Sequence, residues 1–282
     1  MADVKMKLLI FKYLPKGFIS RVFGGVALIP MPGFVMRRVI DWYCVKYSVN
    51  LEEAAVPETG FRNLNEFFTR KLKKGARIID RDAGSVVATT DSRVDQYGSI
   101  TSGRIIQAKG ITYSVRDLIP SDEAEKYTGG KFITLYLSPG DYHRIHSPVT
   151  GKITGFFNIP GKLYTVQEYM VNNLPDLFAV NERIITYIKT PAGSVAVCKI
   201  GAINVGKISL SYDRVVSNKF FRGRREFFYP EKGRIPVKKG EEIGVFNLGS
   251  TVVILFEKGM MDFRKLKAGQ KVKMGEKIGT LR

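Results

Sequence analysis

The chain has 282 residues, 45 Lys and Arg against 26 Asp and Glu for a formal net charge of +19, and 44% hydrophobic residues. That is enough apolar material for a sizeable core, which excludes a disordered chain, and the length suits one large domain or two. Two cysteines, Cys44 and Cys198, exclude a disulfide scaffold and a Cys-rich metal site, and the positive balance implies an anionic partner, either nucleic acid or a membrane surface.

Residues 1–50 hold Lys5, Lys7, Lys12, Lys16, Arg21, Arg37, Arg38 and Lys46 against Asp3 and Asp41. They are interleaved with Phe11, Tyr13, Phe18, Phe23, Phe34, Trp42, Tyr43 and Tyr47. Cations mixed with large aromatics suit a surface lying in a lipid headgroup layer; a terminal helical layer packed on the domain is the blander alternative, and both can hold. The longest uncharged run, Val22 to Met36, falls short of the roughly 20 residues of a spanning helix. Gly24, Gly25, Pro30, Pro32 and Gly33 also interrupt it. No signal-peptide pattern is present, so the expectation is a protein that lies on a membrane without crossing it. Apolar spacing predicts a helix over 34–47, and Asn63 with Glu66 three residues on predicts a capped helix over 63–72.

After Gly75, short runs rich in Val, Ile, Tyr and Phe alternate with Gly, Pro, Asp and Asn. They predict strands at 85–89, 132–137, 152–157, 183–189, 194–200, 207–212 and 251–256, with short helices at 113–119 and 165–174. One repeat is visible: Val237-Lys-Lys-Gly-Glu-Glu-Ile-Gly244 returns as Val272-Lys-Met-Gly-Glu-Lys-Ile-Gly279. Together with Ser147-Pro-Val-Thr-Gly-Lys-Ile-Thr154 it suggests a flattened β-barrel like that of biotinyl or lipoyl carriers, in which Lys273 would be the modified residue. The turn lacks the carriers' M-K-M, and a recurrent hairpin without chemistry is the simpler reading. A soft boundary near Gly75 separates a helical membrane-association region, 1–75, from a β-rich catalytic body, 76–282. The expected class is α+β: a helical amino-terminal membrane-facing layer on a β-rich body with a flattened barrel or sandwich.

Three segments could carry chemistry. Tyr136-Leu-Ser-Pro-Gly-Asp-Tyr-His-Arg-Ile-His-Ser-Pro148 holds the only two histidines, His143 and His146. No nearby Cys or acidic cluster supplies further ligands for a metal, so proton transfer is the better use of the pair. Leu248-Gly-Ser-Thr251 reads as a tight turn before an apolar strand, but Gly249 can expose its carbonyl to the Ser250 hydroxyl, which a neighbouring base could activate. Asp91 in Thr89-Thr-Asp-Ser-Arg-Val-Asp95 reads as a turn residue, or as the acid of a triad with a His and a Ser.

The combination of Y-L-S-P-x-D-Y-H-R-x-H-x-P and L-G-S-T resembles the pyruvoyl-dependent phosphatidylserine decarboxylases of bacterial length. Asn65-Glu-Phe-Phe68 with Arg70, Gln107-Ala-Lys-Gly110, Asn181-Glu-Arg183, Gly201-Ala202 with Val205-Gly206, and Lys239 to Phe246 extend the resemblance over nearly the whole chain. Two positions depart from the family: Asp91 is followed by Ser92 where the family usually has Gly, leaving Asp95 as a fallback, and Ile111 stands where the family often has His.

The resemblance implies a proenzyme (zymogen) that cuts itself between Gly249 and Ser250 into chains 1–249 and 250–282. In it, His146, oriented by Asp91, takes the Ser250 proton, and Ser250 becomes a covalent pyruvoyl cofactor, with no pyridoxal phosphate and no metal. The pyruvoyl ketone forms a Schiff base with the serine headgroup of phosphatidylserine, carbon dioxide leaves, and His143 reprotonates the carbon to give phosphatidylethanolamine. Tyr136 and Thr165 occupy segments that resemble the family's substrate pocket. The implied partners are phosphatidylserine in an anionic membrane and the chain's own cleavage products as a heterodimer, itself paired. The implied location is peripheral, on the cytoplasmic side of the cell membrane. A nucleic-acid-binding β-barrel, prompted by charge alone, and a carrier or inactive lipid-binding homologue are the competing readings, and the first lacks an RNA- or DNA-binding signature.

Overall fold

A computed structural model describes residues 15–108, 110–203, 207–217, 223–247 and 250–282. Two helices lead, α1 (Lys16–Val26) and α2 (Gly33–Tyr47). Pro30 and Pro32 lie between them, where a residue without an N–H cannot continue a helix but suits the start of the next. Among the described residues no helix is long and apolar enough to cross a membrane. α2 buries Met36, Ile40 and Tyr43, at helical spacing, and leaves Phe34, Trp42 and Val45 exposed. α1 likewise exposes Phe18, Val22 and Val26.

α3 (Leu64–Phe68) is shorter than the expected 63–72. Asn63 caps it by accepting the Glu66 N–H at 2.9 Å. The Glu66 carboxylate, however, accepts the Arg62 N–H at 2.8 Å rather than that of Asn63. The Thr69 hydroxyl then donates to the Asn65 carbonyl at 2.7 Å, and the helix stops there. Three further helices are single turns: α4 (Val115–Leu118), α5 (Glu168–Val171) and α6 (Leu177–Val180). The helix expected over 113–119 is thereby trimmed, because Tyr113 and Ser114 finish a strand and Ser114 caps the turn that follows.

The described strands are β1 (Ser85–Val87), β2 (Ser92–Ser99), β3 (Arg104–Ala108), β4 (Ile111–Ser114), β5 (Lys131–Tyr136), β6 (Arg144–His146), β7 (Gly151–Ile159), β8 (Arg183–Thr190), β9 (Gly193–Ile200), β10 (Ile208–Ser209), β11 (Arg225–Phe228), β12 (Ile235–Val237), β13 (Glu242–Phe246), β14 (Thr251–Phe256), β15 (Met261–Phe263), β16 (Lys271–Val272) and β17 (Lys277–Leu281). The architecture is α+β. The large antiparallel sheet runs β11-β7-β8-β9-β14-β5-β2-β16, with β12 also on β7. The smaller sheets are β1-β17-β15, β10-β13-β6 and the hairpin β3-β4.

The large sheet stays open, so no closed barrel forms among the described residues; the sheets layer on one another instead. β13 lies against β9, where a Cβ on Gly244 would come within 3.2 Å of Lys199 Cδ. The strand expected over 207–212 ends at Ser209, because the chain turns back there: Leu210 N–H donates to Val215 O, and Val215 N–H to the Asp213 carboxylate. β14, buried at every residue, sits centrally between β9 and β5.

The sequence repeat is a repeat of structure. Lys238 N–H donates to Glu241 Oε2 (2.8 Å), and Lys273 N–H to Glu276 Oε2 (3.0 Å). Gly240 N–H donates to Ser147 O, and Gly275 N–H to Ala88 O. Val237 pairs with Gly151 and Val272 with Ser92, while Glu242 pairs with His146 and Lys277 with Val87. The duplication thus includes two segments with little common sequence, 85–92 and 144–151. It sets Asp91 at the place of Thr150: Met274 N–H donates to Asp91 Oδ1 (2.9 Å) and Lys239 N–H to Thr150 Oγ1 (3.1 Å).

Candidate active site

Ser250 heads β14. Its carbonyl accepts the Leu137 N–H at 2.9 Å. Its side chain is fully buried and its hydroxyl has no hydrogen-bond partner among the described residues. Leu248 and Gly249, on the other side of the expected cleavage point, lie outside the described residues, as does the basic and aromatic stretch 1–14.

The histidine loop springs from Leu137, beside Ser250. Ser138 donates both its N–H and its hydroxyl to Asp141 Oδ2 at 2.7 Å, which closes the turn. His143 is fully buried, and its Nδ1 lies 2.7 Å from the Asp141 carbonyl. A carbonyl only accepts, so Nδ1 carries the hydrogen and Nε2 a lone pair. That Nε2 is buried without a partner among the described residues. Burial, and then the Arg70 charge, push the His143 pKa down to about 4.

His146, on β6, donates from Nδ1 to the Gly240 carbonyl at 2.8 Å. Its Nε2 is therefore the acceptor, 3.2 Å from the Tyr142 hydroxyl. Burial lowers its pKa as well. β13 meets both histidines: Phe246 N–H donates to His143 O, and Glu242 pairs with His146.

Asp91 has different partners from those expected. Arg77 grips both its carboxylate oxygens, with Nε at 2.8 and 3.1 Å and Nη2 closing the fork, and Arg77 also reaches Glu53 at 2.6 Å. No hydrogen bond joins Asp91 to His146; the Gly240 carbonyl takes the position on Nδ1. The link that exists is through the backbone, where His146 N–H donates to Thr89 O at 2.8 Å. Ser92 is buried and donates to Thr90 O at 3.3 Å. Asp95 accepts from Arg93 at 2.9 Å, and burial raises its pKa.

Tyr136 and Thr165 line one cavity of about 320 Å³, together with Phe68, Leu137 and Pro139 of the neighbouring segments and Phe23 and Tyr43 of the leading helices. None of its described lining residues carries a charge. Phe68 also meets the His143 ring edge-on, with centroids 6.1 Å apart. Neither His143 nor Ser250 is among its described lining residues; the cavity reaches the first through Phe68 and the second through Leu137. Among the described residues no cluster of three His, Cys, Asp or Glu side chains could hold a metal ion.

Pattern alone gives little notice of what three residues of this region do. Arg77 is one basic residue among many, and only folding sets it against Asp91. Arg70 shares a motif with Phe67 and Phe68 but shows no sign of its burial. Lys199 does leave a trace, as the one charge in the apolar run Val195-Ala-Val-Cys-Lys-Ile200.

A buried serine hydroxyl, two imidazoles with lowered pKa values and an uncharged cavity are the chemically distinct features of this region. Residues 64–280 match the family model of phosphatidylserine decarboxylase. A phosphatidylserine decarboxylase proenzyme of Hahella chejuensis is 40% identical over 95% of this chain and 90% of its own length. That of Myxococcus xanthus is 40% identical over 98% of both chains, and that of Brevibacillus brevis 38% identical over 95% of both. The chain belongs to the phosphatidylserine decarboxylase family and is a decarboxylase.

Proposed function

We propose that the chain converts phosphatidylserine to phosphatidylethanolamine with a pyruvoyl group made from its own Ser250. The observation that carries this reading is the buried, unpartnered Ser250 hydroxyl at the head of the central strand. A hydroxyl with no hydrogen bond to break among the described residues, directly after the glycine of L-G-S-T, is available to attack the preceding carbonyl, which fits the precursor of such a group.

In the proposed self-cleavage, the Ser250 oxygen attacks the carbonyl carbon of residue 249. The peptide C–N bond gives way to a C–O ester bond, and the hydroxyl proton passes by way of a base to the freed nitrogen. His146 suits that base, since the Gly240 carbonyl fixes its hydrogen on Nδ1 and leaves the lone pair on Nε2. Elimination of the ester and hydrolytic loss of ammonia complete the conversion. Asp91 supports this arrangement from a distance, through the turn it caps and the Thr89 carbonyl that receives the His146 N–H.

Once formed, the group supplies a ketone that captures an amine and draws electrons from the bond to the departing carboxylate. The chain's residues then bind and protonate. The uncharged cavity lined by Tyr136 and Thr165 strips water from the serine carboxylate, whose charge disappears as carbon dioxide leaves. Nδ1 is held by Asp141, so a proton reaches the substrate carbon through Nε2 alone: that lone pair first takes the proton shed by the substrate's ammonium as it becomes the attacking amine, then returns it to the carbon once carbon dioxide has left. The exposed apolar faces of α1 and α2 seat the 1–75 region on an anionic membrane, peripherally and on the cytoplasmic side, and the cut chains remain together as a heterodimer that pairs with a second.

Intact mass measures the central step. Purified active protein should contain two pieces, residues 1–249 and a 250–282 piece bearing a ketone in place of its amino terminus, while Ser250→Ala should stay whole and inactive. Normal cutting of Ser250→Ala would remove the assigned nucleophile. An uncut chain that decarboxylates the lipid would remove the whole proposal.

A further inference from the structure

The loop that carries His143 is held from outside at three points. Tyr43 of α2 donates its phenol hydrogen to the Pro139 carbonyl at 2.9 Å. The last turn of α2 lies directly on Gly140: a Cβ there would sit 2.3 Å from the Tyr47 carbonyl oxygen. Arg70, just beyond α3, donates from Nη2 to the Gly140 carbonyl at 2.9 Å and, at longer range, to the Asp141 carbonyl at 3.4 Å. That same Asp141 carbonyl takes the His143 Nδ1 hydrogen. The rings follow the same line, with Tyr43 edge-on to Phe68 at 5.0 Å and Phe68 edge-on to His143.

Arg70 is the unusual member. It is buried, no described carboxylate lies within ion-pair distance of it, and its Nε has no partner among the described residues. Burying an unpaired cation costs several kcal/mol, and neutral donors could bridge loop carbonyls at less cost. What a guanidinium adds is a fixed positive charge beside an imidazole. Few other groups on the elements packed around that ring compete with it. The Asp141 carboxylate is turned to Ser138, and burial keeps the Tyr43 and Tyr142 phenols un-ionised.

We propose that Arg70 and Tyr43 are positioning residues for His143: by clamping the Pro139, Gly140 and Asp141 carbonyls they keep the ring neutral, with hydrogen on Nδ1 and a bare Nε2, and tie its placement to the seating of α2. The importance of this clamp for turnover rests on the proposed role of His143, but the state of the ring can be read independently of turnover. The burial and Arg70 charge that hold His143 low act in the same direction.

The chain has two histidines, so nitrogen-15 histidine labelling yields two imidazoles. The full chain carrying Ser250→Ala is the background, and His143→Gln assigns the signals. In that background His143 should stay in the neutral Nδ1–H form between about pH 5 and 8. With Arg70→Gln its titration should move to higher pH than in the parent, while His146 changes little. Arg70→Lys should keep the titration low, since it keeps the charge. Tyr43→Phe, which removes one oxygen and leaves the ring packing, should alter the Nδ1–H signal in the direction of a weaker hydrogen bond. In the cleavable chain, Arg70→Gln should lower kcat about 100-fold with KM within about threefold and with cutting at 249–250 retained. An unchanged tautomer and titration of His143 in both Arg70→Gln and Tyr43→Phe would overturn the proposal, whatever turnover does; if Arg70→Gln does not fold, Tyr43→Phe decides. Cutting of the Ser250→Ala chain would instead strike at the proposed function, and the spectra would still report on the clamp.

Discussion

Lys199 stands fully buried on β9, opposite Val252 and so two residues along β14 from Ser250. Its ammonium donates to the Thr186 hydroxyl at 2.5 Å, and that hydroxyl meets Tyr212 at 2.8 Å. Burial lowers its pKa to about 7. Below that value both folded and unfolded chains hold the proton, and the folded chain bears the full penalty of a buried charge. From about 7 up to the unfolded value near 10.4, the unfolded chain binds more protons, so stability rises with pH. Lys199→Met in the Ser250→Ala background should therefore be more stable by about 1–4 kcal/mol near pH 6. The gain should shrink toward about pH 9 as the wild-type lysine sheds its proton; urea midpoints at the two pH values measure both. At this scale the sequence showed the residues whose chemistry is rare, such as two histidines in one loop and a serine after glycine. It did not show their partners, because Arg77 and Gly240 reach Asp91 and His146 only through the fold. Asp91 illustrates the limit: the T-T-D-S segment admits both a turn and a triad acid, and its carboxylate is occupied by Arg77 and the Met274 N–H.

The two repeat turns make a sharper comparison at the level of elements. Gly240 and Gly275 hold φ of +80° and +85°, which favours glycine, and both press on Ile79. An added Cβ at Gly240 would meet the end of the Ile79 side chain, at 2.3 Å from Cδ1, which can rotate away. At Gly275 it would meet the Ile78 carbonyl oxygen at 2.8 Å and Ile79 Cα at 2.9 Å, which cannot. Each alanine should cost about 1–2 kcal/mol for the left-handed backbone alone, with Gly275→Ala the more damaging. Denaturant midpoints of the two variants in the uncut background test that order. The repeat itself was legible because its turn demands Gly and Glu at fixed places. Its other half was not, since 85–92 and 144–151 share only backbone bonds, which any side chains can accompany. Strands were legible wherever β-branched residues ran together, and misjudged at 210–212, where side-chain bonds of Asp213 turn the chain.

Over the whole molecule, one surface stands apart. Phe18, Val22 and Val26 of α1 and Phe34, Trp42 and Val45 of α2 are exposed, with Arg37, Arg38 and Lys46 exposed among them. Trp42 is the chain's single tryptophan, with Lys46 Nζ 4.6 Å from its ring. Its fluorescence should shift to the blue with anionic vesicles and less so with neutral ones, and added salt should weaken the effect, as roughly 1 kcal/mol per surface cation is screened. Phe34→Ser should lower the vesicle affinity about tenfold or more, from a lost side-chain insertion of about 1.5–3 kcal/mol; unchanged affinity would argue against this face as the seat. The central place of β14 has its own outcome. Residues 250–282 are woven through the molecule, with β14 between β9 and β5, β16 on β2, and β17 between β1 and β15. Severing the backbone ahead of Ser250 would release nothing, yet it would turn a self-contained folding problem into a meeting of two strangers. A melted precursor could find its way home alone, whereas a melted mature molecule would have lost its other half to dilution, so that maturation would make denaturation a one-way event.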